Sequence, residues 1–217
     1  MHKTATRSQL KAILAFSALY LFVAAMFSLK SGNKEFIFYI LVIAVQLSVL
    51  IAVHFRVGFS AGLLWCLSLW GLLHMAGGLI PIPDSWNDRY GSGVLYNFWL
   101  IPERVKYDQI IHAFGFGVTT WLCWQALSTV SPYRDGRGLT PSPGLMVLCA
   151  AAGMGFGALN EVVEFIATLT LPETNVGGYE NTGWDLVANL VGATIAALLI
   201  SFFGKSPFSG EKTPSSK

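Results

Sequence analysis

Residues 144–171 read GLMVLCAAAGMGFGALNEVVEFIATLTL, and this stretch decides the fold of the chain. It is longer than the roughly 20 apolar residues with which a helix crosses a bilayer. Its apolar run is interrupted by Asn160, Glu161 and Glu164, and it contains no Lys or Arg to pair with them. A charged group in hydrocarbon costs about 3 kcal/mol or more, so such residues face a bundle interior or a wet cavity. The stretch therefore predicts a membrane-spanning helix that carries part of a functional site.

The composition of the whole chain also indicates a membrane protein. Of its 217 residues, 53% are hydrophobic and 12% are charged, whereas roughly a quarter of the residues in a soluble domain are charged. The formal net charge of +2 is too small to indicate a nucleic-acid partner. Membrane lipids are the expected surroundings, and nucleic acid is not an expected partner.

Six apolar windows are long enough to span a bilayer. Long continuous apolar runs exclude the alternating pattern of a membrane barrel, so the predicted fold is an all-α, polytopic helical bundle. Residues 1–204 form one predicted membrane domain, followed by a disordered tail at 205–217, which is rich in Ser, Pro and Lys. The predicted spans are residues 8–29, 35–54, 58–80, 107–130, 144–171 and 182–204.

The distribution of Lys and Arg predicts the orientation, because cytoplasmic flanks carry the excess. With a cytoplasmic N-terminus, nine of the fourteen basic residues lie on the cytoplasmic side and five on the outer side. Both termini are therefore predicted to be cytoplasmic, and the basic leader is read as a retained first helix. The nine are Lys3, Arg7, Lys11, Arg56, Arg134, Arg137, Lys205, Lys212 and Lys217.

Three further spans carry polar side chains toward the same, outer end. His74 and His112 each lie about 8–9 Å below that end at 1.5 Å per residue. Asp108 and His112 are four residues apart, as are Asp185 and Asn189, so each pair shares one helical face. These faces continue into small residues that let helices approach closely, so the polar residues are expected to meet in one layer. The glycines are Gly71, Gly78, Gly115, Gly153, Gly157 and Gly192.

Imidazole and carboxylate groups in one layer suit one or two divalent ions such as zinc, iron or manganese. Glu161 and Glu164 are also the candidate catalytic bases, with Asn160 and Asn189 as supporting polar residues. The chain has no H-E-x-x-H motif, so the prediction depends on helical spacing alone. The candidate metal ligands are His74, Asp108, His112, Glu161, Glu164 and Asp185.

Simpler interpretations exist for several of these residues. His74 has the alternative of being an interhelical hydrogen-bond donor, and Asp108 and Asp185 have the alternative of capping their helices. The segment from Pro81 to Lys106 is expected to form an interfacial aromatic belt, with a lid over the polar layer as the alternative. Its aromatic residues include Trp86, Tyr90, Tyr96, Phe98 and Trp99.

Three segments resemble motifs of a known family. The run Tyr107-Asp108-Gln-Ile-Ile-His112-Ala-Phe114-Gly115 resembles the Y-D-x-x-x-H-F-x-x-G segment of the uncharacterised bacterial inner-membrane proteins called YjdF-like, and more distantly of VanZ-like proteins. Glu161-Val-Val-Glu164-Phe165 is similar to that family's E-x-x-E-W, and Gly183-Trp184-Asp185 through Gly192-Ala193 to its W-D-x-x-x-x-x-x-G-A.

Ala113 and Phe165 replace the family's usual Phe and Trp. Asn181, counted here among the supporting polar residues, stands where the family tends to have Asp. The resemblance implies a multi-pass protein of the bacterial cytoplasmic (inner) membrane with an embedded His/Asp/Glu set. It implies no activity.

Three functions stay open on these observations. The first is metal-dependent hydrolysis or isomerisation of an amphiphilic, lipid-like substrate at a site near the extracytoplasmic side. The second is a proton- or ion-coupled transporter, since carboxylates and histidines also form proton relays. The third is a non-catalytic scaffold in which the polar layer only holds the helices together.

Overall fold

Six long helices and one short hairpin make up the described part of the protein. The computed structural model describes residues 2–86, 93–130 and 139–204. All six helices are long and apolar enough to cross a membrane, which confirms the all-α, six-span bundle. Tyr90 and the predicted tail at 205–217 lie outside the described residues. The helices are α1 (Arg7–Ser31), α2 (Lys34–Val57), α3 (Ala61–Leu79), α4 (Tyr107–Val130), α5 (Pro143–Thr170) and α6 (Tyr179–Phe203).

Local capping chemistry explains where several helices begin. Thr6 and Gln9 form a reciprocal capping box at the start of α1. Asn33, Ser60 and Ser142 accept hydrogen bonds from the first turns of α2, α3 and α5. All twelve helix ends lie within three residues of the ends of the predicted spans.

The connection from α3 to α4 folds back on the bundle. It contains two short 3₁₀ helices, Asp84–Trp86 and Leu95–Asn97, and an antiparallel hairpin of β1 (Trp99–Ile101) and β2 (Val105–Lys106). The amide of Leu95 donates to the carbonyl of Ile80 at 3.0 Å, and this bond ties the segment to the end of α3. The sequence did not predict the hairpin.

Glycines set the close approach of the central helices. A Cβ on Gly192 of α6 would lie 1.8 Å from the carbonyl oxygen of Ala113 in α4. A Cβ on Gly153 of α5 would lie 2.1 Å from the hydroxyl of Thr120, again in α4. Membrane helices pack closely where small residues face one another. As a result α4 lies in the middle of the bundle and is the most buried helix.

Large apolar side chains cover the outside of the bundle. Phe22, Val45 and Leu148 are 64–65% exposed, at positions in the middle of α1, α2 and near the start of α5. Such a surface would be an aggregation hazard in water and is the normal surface of a protein that contacts lipid. We call the end of the bundle where α3 and α5 finish and α2, α4 and α6 begin the site end.

Candidate functional site

His112 occupies the centre of a buried polar cluster at the site end. Its side chain is 4% exposed, and its Nδ1 atom lies 3.2 Å from Oδ1 of Asn189 on α6. A carbonyl oxygen can only accept a hydrogen bond, so this contact requires the tautomer in which Nδ1 carries the proton. The lone pair of Nε2 is therefore left for another partner.

Carboxylates from two other positions face the two ring nitrogens. Oδ1 of Asp108 lies 3.6 Å from Nε2, and Oε1 of Glu161 lies 3.7 Å from Nδ1. Their side chains are 16% and 9% exposed. Both distances exceed that of a hydrogen bond. The acids approach the imidazole without bonding to it directly.

Two overlapping groups of three ligand atoms result, and His112 belongs to both. Within each group, the ligand atoms lie within 4.8 Å of one another. The first group is Asp108, His112 and Asp185; the second is His112, Glu161 and Glu164. One imidazole from α4 thus joins acids from α4, α5 and α6.

Two of the acids are held by an amide one helical turn away. Nδ2 of Asn160 donates to Oε1 of Glu164 at 2.8 Å, and Nδ2 of Asn181 donates to Oδ2 of Asp185 at 2.6 Å. Each pair is separated by four residues and therefore shares a helical face. With Asn189 on the histidine, all three predicted supporting amides contact a predicted site residue.

Several polar atoms of the cluster are buried without a hydrogen-bond partner among the described residues. They are both carboxylate oxygens of Glu161, Oδ1 of Asp185 and Nδ2 of Asn189. Buried polar groups in folded proteins are nearly always satisfied, and an unsatisfied charged group is especially costly. The arrangement calls for a cation or protons among these oxygens.

The cap interpretation fails for Asp185 and holds in part for Asp108. Helix α6 begins at Tyr179 with Gly178 as its N-cap, so Asp185 lies well inside the helix and is 1% exposed. Asp108 does lie in the first turn of α4, where the helix dipole favours an anion. Its carboxylate nevertheless faces His112.

His74 lies apart from both groups of ligand atoms. Its ring packs among those of Tyr39, Trp70 and Tyr96, with centroid distances of 6.3, 6.2 and 5.6 Å. It lines the wall of the cavity described next. Ligation of a metal by His74 stays a prediction.

A cavity of about 830 Å³ opens above the cluster at the site end. Asp108 and Glu164 belong to both its wall and the cluster, so they connect the buried acids to the open space. Charged residues of its lining come from the hairpin and the start of α6. They are Glu103, Arg104, Lys106 and Glu180, and the lining also includes His74, Tyr96, Asn181 and Trp184.

Tyr96 and Trp99 line the cavity. The hydroxyl of Tyr96 donates to the carbonyl of His74 at 2.7 Å, and its ring packs against Gly77. Burial, followed by the nearby charge of Asp108, raises the pKa of the Tyr96 phenol well above its ordinary value, so it stays a donor. Trp86, by contrast, is 55% exposed, as a belt residue would be.

Helix α2 also contributes to the site end, which the sequence did not predict. Glu35 is 4% exposed and accepts hydrogen bonds from the Asn175 amide at 2.9 Å and from its side chain at 2.8 Å. The hydroxyl of Tyr39 donates to the same carboxylate at 3.4 Å. In the sequence Glu35 is an acid in the first turn of a helix, next to Lys34, and such acids are common at helix starts. The four-residue spacing of Glu35 and Tyr39, which puts both on one helical face, was the feature of the sequence that could have indicated their contact.

Replacing Glu35 with alanine is expected to free the loop between α5 and α6. Hydrogen bonds to a carboxylate are worth about 1.5–3 kcal/mol, so amide exchange at Asn175 should accelerate about tenfold or more. Hydrogen–deuterium exchange of the protein in detergent measures this. Glu180→Ala, which removes an exposed acid at the same cavity, is the matched control. Equal exchange in both variants would show that the hydrogen bonds between Glu35 and Asn175 do not hold the loop.

The fold and the site together define a class: multi-pass, all-helical membrane proteins with a buried carboxylate and imidazole cluster at one end. The family model described as "Predicted membrane protein (DUF2238)" matches residues 10–206, and the chain belongs to that family. It is also similar to an "Uncharacterized protein" of Thermotoga maritima, with 30% identity over 110 residues. That alignment covers 50% of this chain and 53% of the relative, so the chain matches about half of the relative's length. No solved structure matches the chain.

Proposed function

We propose that the cluster binds a divalent metal ion and that the protein uses it to hydrolyse or isomerise an amphiphilic, lipid-like substrate. The observation that carries the proposal is the set of buried carboxylate oxygens that converge on His112 and have no hydrogen-bond partner in the described part of the chain. An ionised carboxylate in a low-dielectric interior is stable only when it is paired or coordinates a metal. A divalent cation would satisfy several of these oxygens at once.

The distances between the ligand atoms fit binding of a metal ion better than they fit direct hydrogen bonds between the side chains. Zinc binds nitrogen and oxygen at about 2.0–2.2 Å, which puts neighbouring ligand atoms of a tetrahedral site about 3.2–3.6 Å apart. Nε2 of His112 and Oδ1 of Asp108 are 3.6 Å apart. The pair is too far apart for a hydrogen bond and has the separation of two metal ligands.

The hydrogen bond to Asn189 favours one of the two groups. Metal-binding histidines usually donate their second N–H to a carbonyl or carboxylate, which orients the ring. Since Nδ1 donates to Asn189, Nε2 would face the ion together with Asp108 and Asp185. Asn181 donates a hydrogen bond to Asp185 and would orient this carboxylate toward the ion. Zinc, iron and manganese all accept this combination of ligands.

Glu164 has the position of a general base. It lines the cavity, it lies in the second group around His112, and Asn160 fixes one of its oxygens. A divalent ion in this place would acidify a bound water and polarise a substrate carbonyl or phosphoryl group. Glu164 would accept the proton that the reaction releases.

The surroundings of the cavity fit an amphiphile. Tyr39, Tyr96 and Trp184 provide apolar surface beside the acids, and Arg104 and Lys106 in the same lining provide two positive charges next to the negative charges of Glu103 and Glu180. A polar headgroup could therefore reach Asp108 and Glu164 while its acyl chains stay in the bilayer. Helical bundles are typical of the bacterial cytoplasmic membrane, where we place the protein, with the site on the extracytoplasmic side and both termini cytoplasmic. The kinship with YjdF-like and VanZ-like proteins stays a prediction.

Glu164→Gln is expected to keep the metal and lose the reaction. Removal of a general base lowers turnover by about 10²–10⁴-fold, whereas the ligand group of His112, Asp108 and Asp185 remains intact. Mass spectrometry would follow lipid products from zinc-, iron- or manganese-loaded protein in nanodiscs of bacterial lipid extract. Glu180→Gln, an exposed acid at the same cavity, serves as the control and should match the wild type.

Two outcomes would reject the catalytic proposal. Metal-loaded protein that leaves every lipid unaltered would reject it, and so would equal product formation by Glu164→Gln and the wild type. Proton flux into liposomes that depends on Glu164 would then select the transporter. Gln125, a buried amide toward the opposite end of the bundle, is hydrogen-bonded to Ser60. It therefore adds little to a polar path that a transporter would need across the bundle.

A further inference from the structure

Gln46 differs from every other amide side chain in the six helices. It lies at the midpoint of α2, is exposed on the outside of the bundle and has no hydrogen bond within the described residues. The other helix amides are bonded: Gln9 to Thr6, Gln109 to the Lys106 amide, and Gln125 to Ser60. Those of α5 and α6 are in the cluster already described. Gln46 therefore places an unsatisfied amide where the acyl chains of lipid would lie.

The surface around Gln46 has the pattern of a helix-pairing seam. Val42, Gln46, Val49 and Val53 are spaced four, three and four residues apart, which puts them on one stripe of α2. Val49 and Val53 are 58% and 36% exposed and Val42 is half-buried, so the stripe is open from Gln46 to Val53. A groove of about 310 Å³ next to it is lined by Phe38, Leu41, Val42, Val45 and Gln46.

Helix α2 is free to take a partner on this side. It is the least buried of the six helices, with 11% of its span inside the protein. Its buried residues lie near the two ends of the helix and include Glu35, Phe36 and His54. The middle of α2 is thus held by the rest of the chain only along its inner face.

We propose that two copies of this chain dimerise through α2, with the Gln46 side chains hydrogen-bonded to each other. Copies inserted in the same orientation are related by a two-fold axis along the bilayer normal, so identical residues lie at identical depth. A glutamine amide has both a donor and an acceptor, so two of them satisfy one another across that axis. The Val residues of the stripe pack above and below this pair, as β-branched residues do around a polar seam position.

The alternative occupants of the seam fit it less well. A helix of another protein would need a polar residue at the depth of Gln46, whereas a second copy supplies one automatically. Lipid tails would cover the valines but leave the amide without a partner. A second copy is therefore the occupant that the position of Gln46 favours.

Gln46→Leu is expected to weaken the dimer about tenfold, in line with the strength of interhelical hydrogen bonds in bilayers. The leucine is close in size and faces lipid, so the fold should be retained. Full-length chains labelled at the N-terminus with donor or acceptor dyes are mixed in phosphatidylethanolamine and phosphatidylglycerol liposomes. Energy transfer is then measured as the lipid-to-protein ratio rises. Val49→Trp, which obstructs the seam but leaves the amide, should also weaken transfer.

Thr194→Val is the matched control, because it removes a polar group exposed in the middle of α6. It should leave the transfer curve unchanged, and Gln46→Asn should retain part of the association. Wild-type protein that is monomeric at every ratio would overturn the proposal, and the seam would then contact lipid or another protein. Identical curves for Gln46→Leu and the wild type, or an equal loss in Thr194→Val, would overturn it as well.

Discussion

Replacing His112 with alanine is expected to abolish binding of the divalent ion that we propose for the cluster. His112 belongs to both groups of ligand atoms, so its loss breaks either arrangement. The substitution also leaves Asp108 and Glu161 facing each other's negative charge without an imidazole between them. Elemental analysis of protein purified in detergent should fall from about one ion per chain to a background level. Asp185→Asn is expected to lower the affinity as well.

His74→Ala is the matched control for this measurement. It removes an imidazole from the same end of the bundle, yet His74 lies among aromatic rings and outside both groups. Retained metal in this variant would support the assignment to His112, Asp108 and Asp185. Loss of metal in both variants would place His74 among the ligands. A wild-type protein that takes up no zinc, iron or manganese would show that protons, rather than a metal, neutralise the acids.

Gly192→Ala is expected to destabilise the protein by about 3 kcal/mol or more, at the upper end for overpacking. The added Cβ would lie 1.8 Å from the carbonyl oxygen of Ala113, and a backbone atom cannot rotate away. Helices α4 and α6 would have to separate, which also moves His112 away from Asn189. Thermal unfolding in detergent, followed by circular dichroism, measures the loss.

Gly155→Ala provides the comparison within the same bundle. A Cβ at Gly155 meets nothing within 4 Å, so the better helix propensity of alanine should make this change neutral or slightly stabilising. Similar melting temperatures for the two variants would mean that α4 and α6 are not packed as described. Metal content of Gly192→Ala, measured in parallel, reports whether the cluster depends on this contact.

The boundaries of the helices could be predicted well, for a simple reason. A helix that crosses a bilayer needs about 20 apolar residues and satisfies its backbone hydrogen bonds internally. The length of each apolar run in the sequence therefore gives the length of the span. The largest deviations occur at α2, α3 and α6, where the actual ends depend on local caps and on glycine. Gly58, for example, ends α2 in the left-handed conformation with φ of 73°.

The membership of the site could be predicted only in part. Helical spacing correctly grouped Asp108 with His112, and it placed Glu161 and Glu164 toward the same end. It did not show that the His74 ring packs among aromatic side chains, and it gave no reason to select Glu35. Spacing along a helix could show neither, because it says nothing about which neighbour a given face meets.

The depth of a side chain in the membrane thus follows from the sequence, whereas its direction around the helix axis follows from the tertiary structure. The rise of 1.5 Å per residue and the length of each apolar run determine at what depth a side chain lies. Its direction depends on how the helices rotate against one another, which is set by contacts such as Gly192 on Ala113 and Gly157 on Asn189. Those contacts join residues far apart in the chain, so only the folded bundle decides that His112 enters the cluster while His74 enters an aromatic pocket.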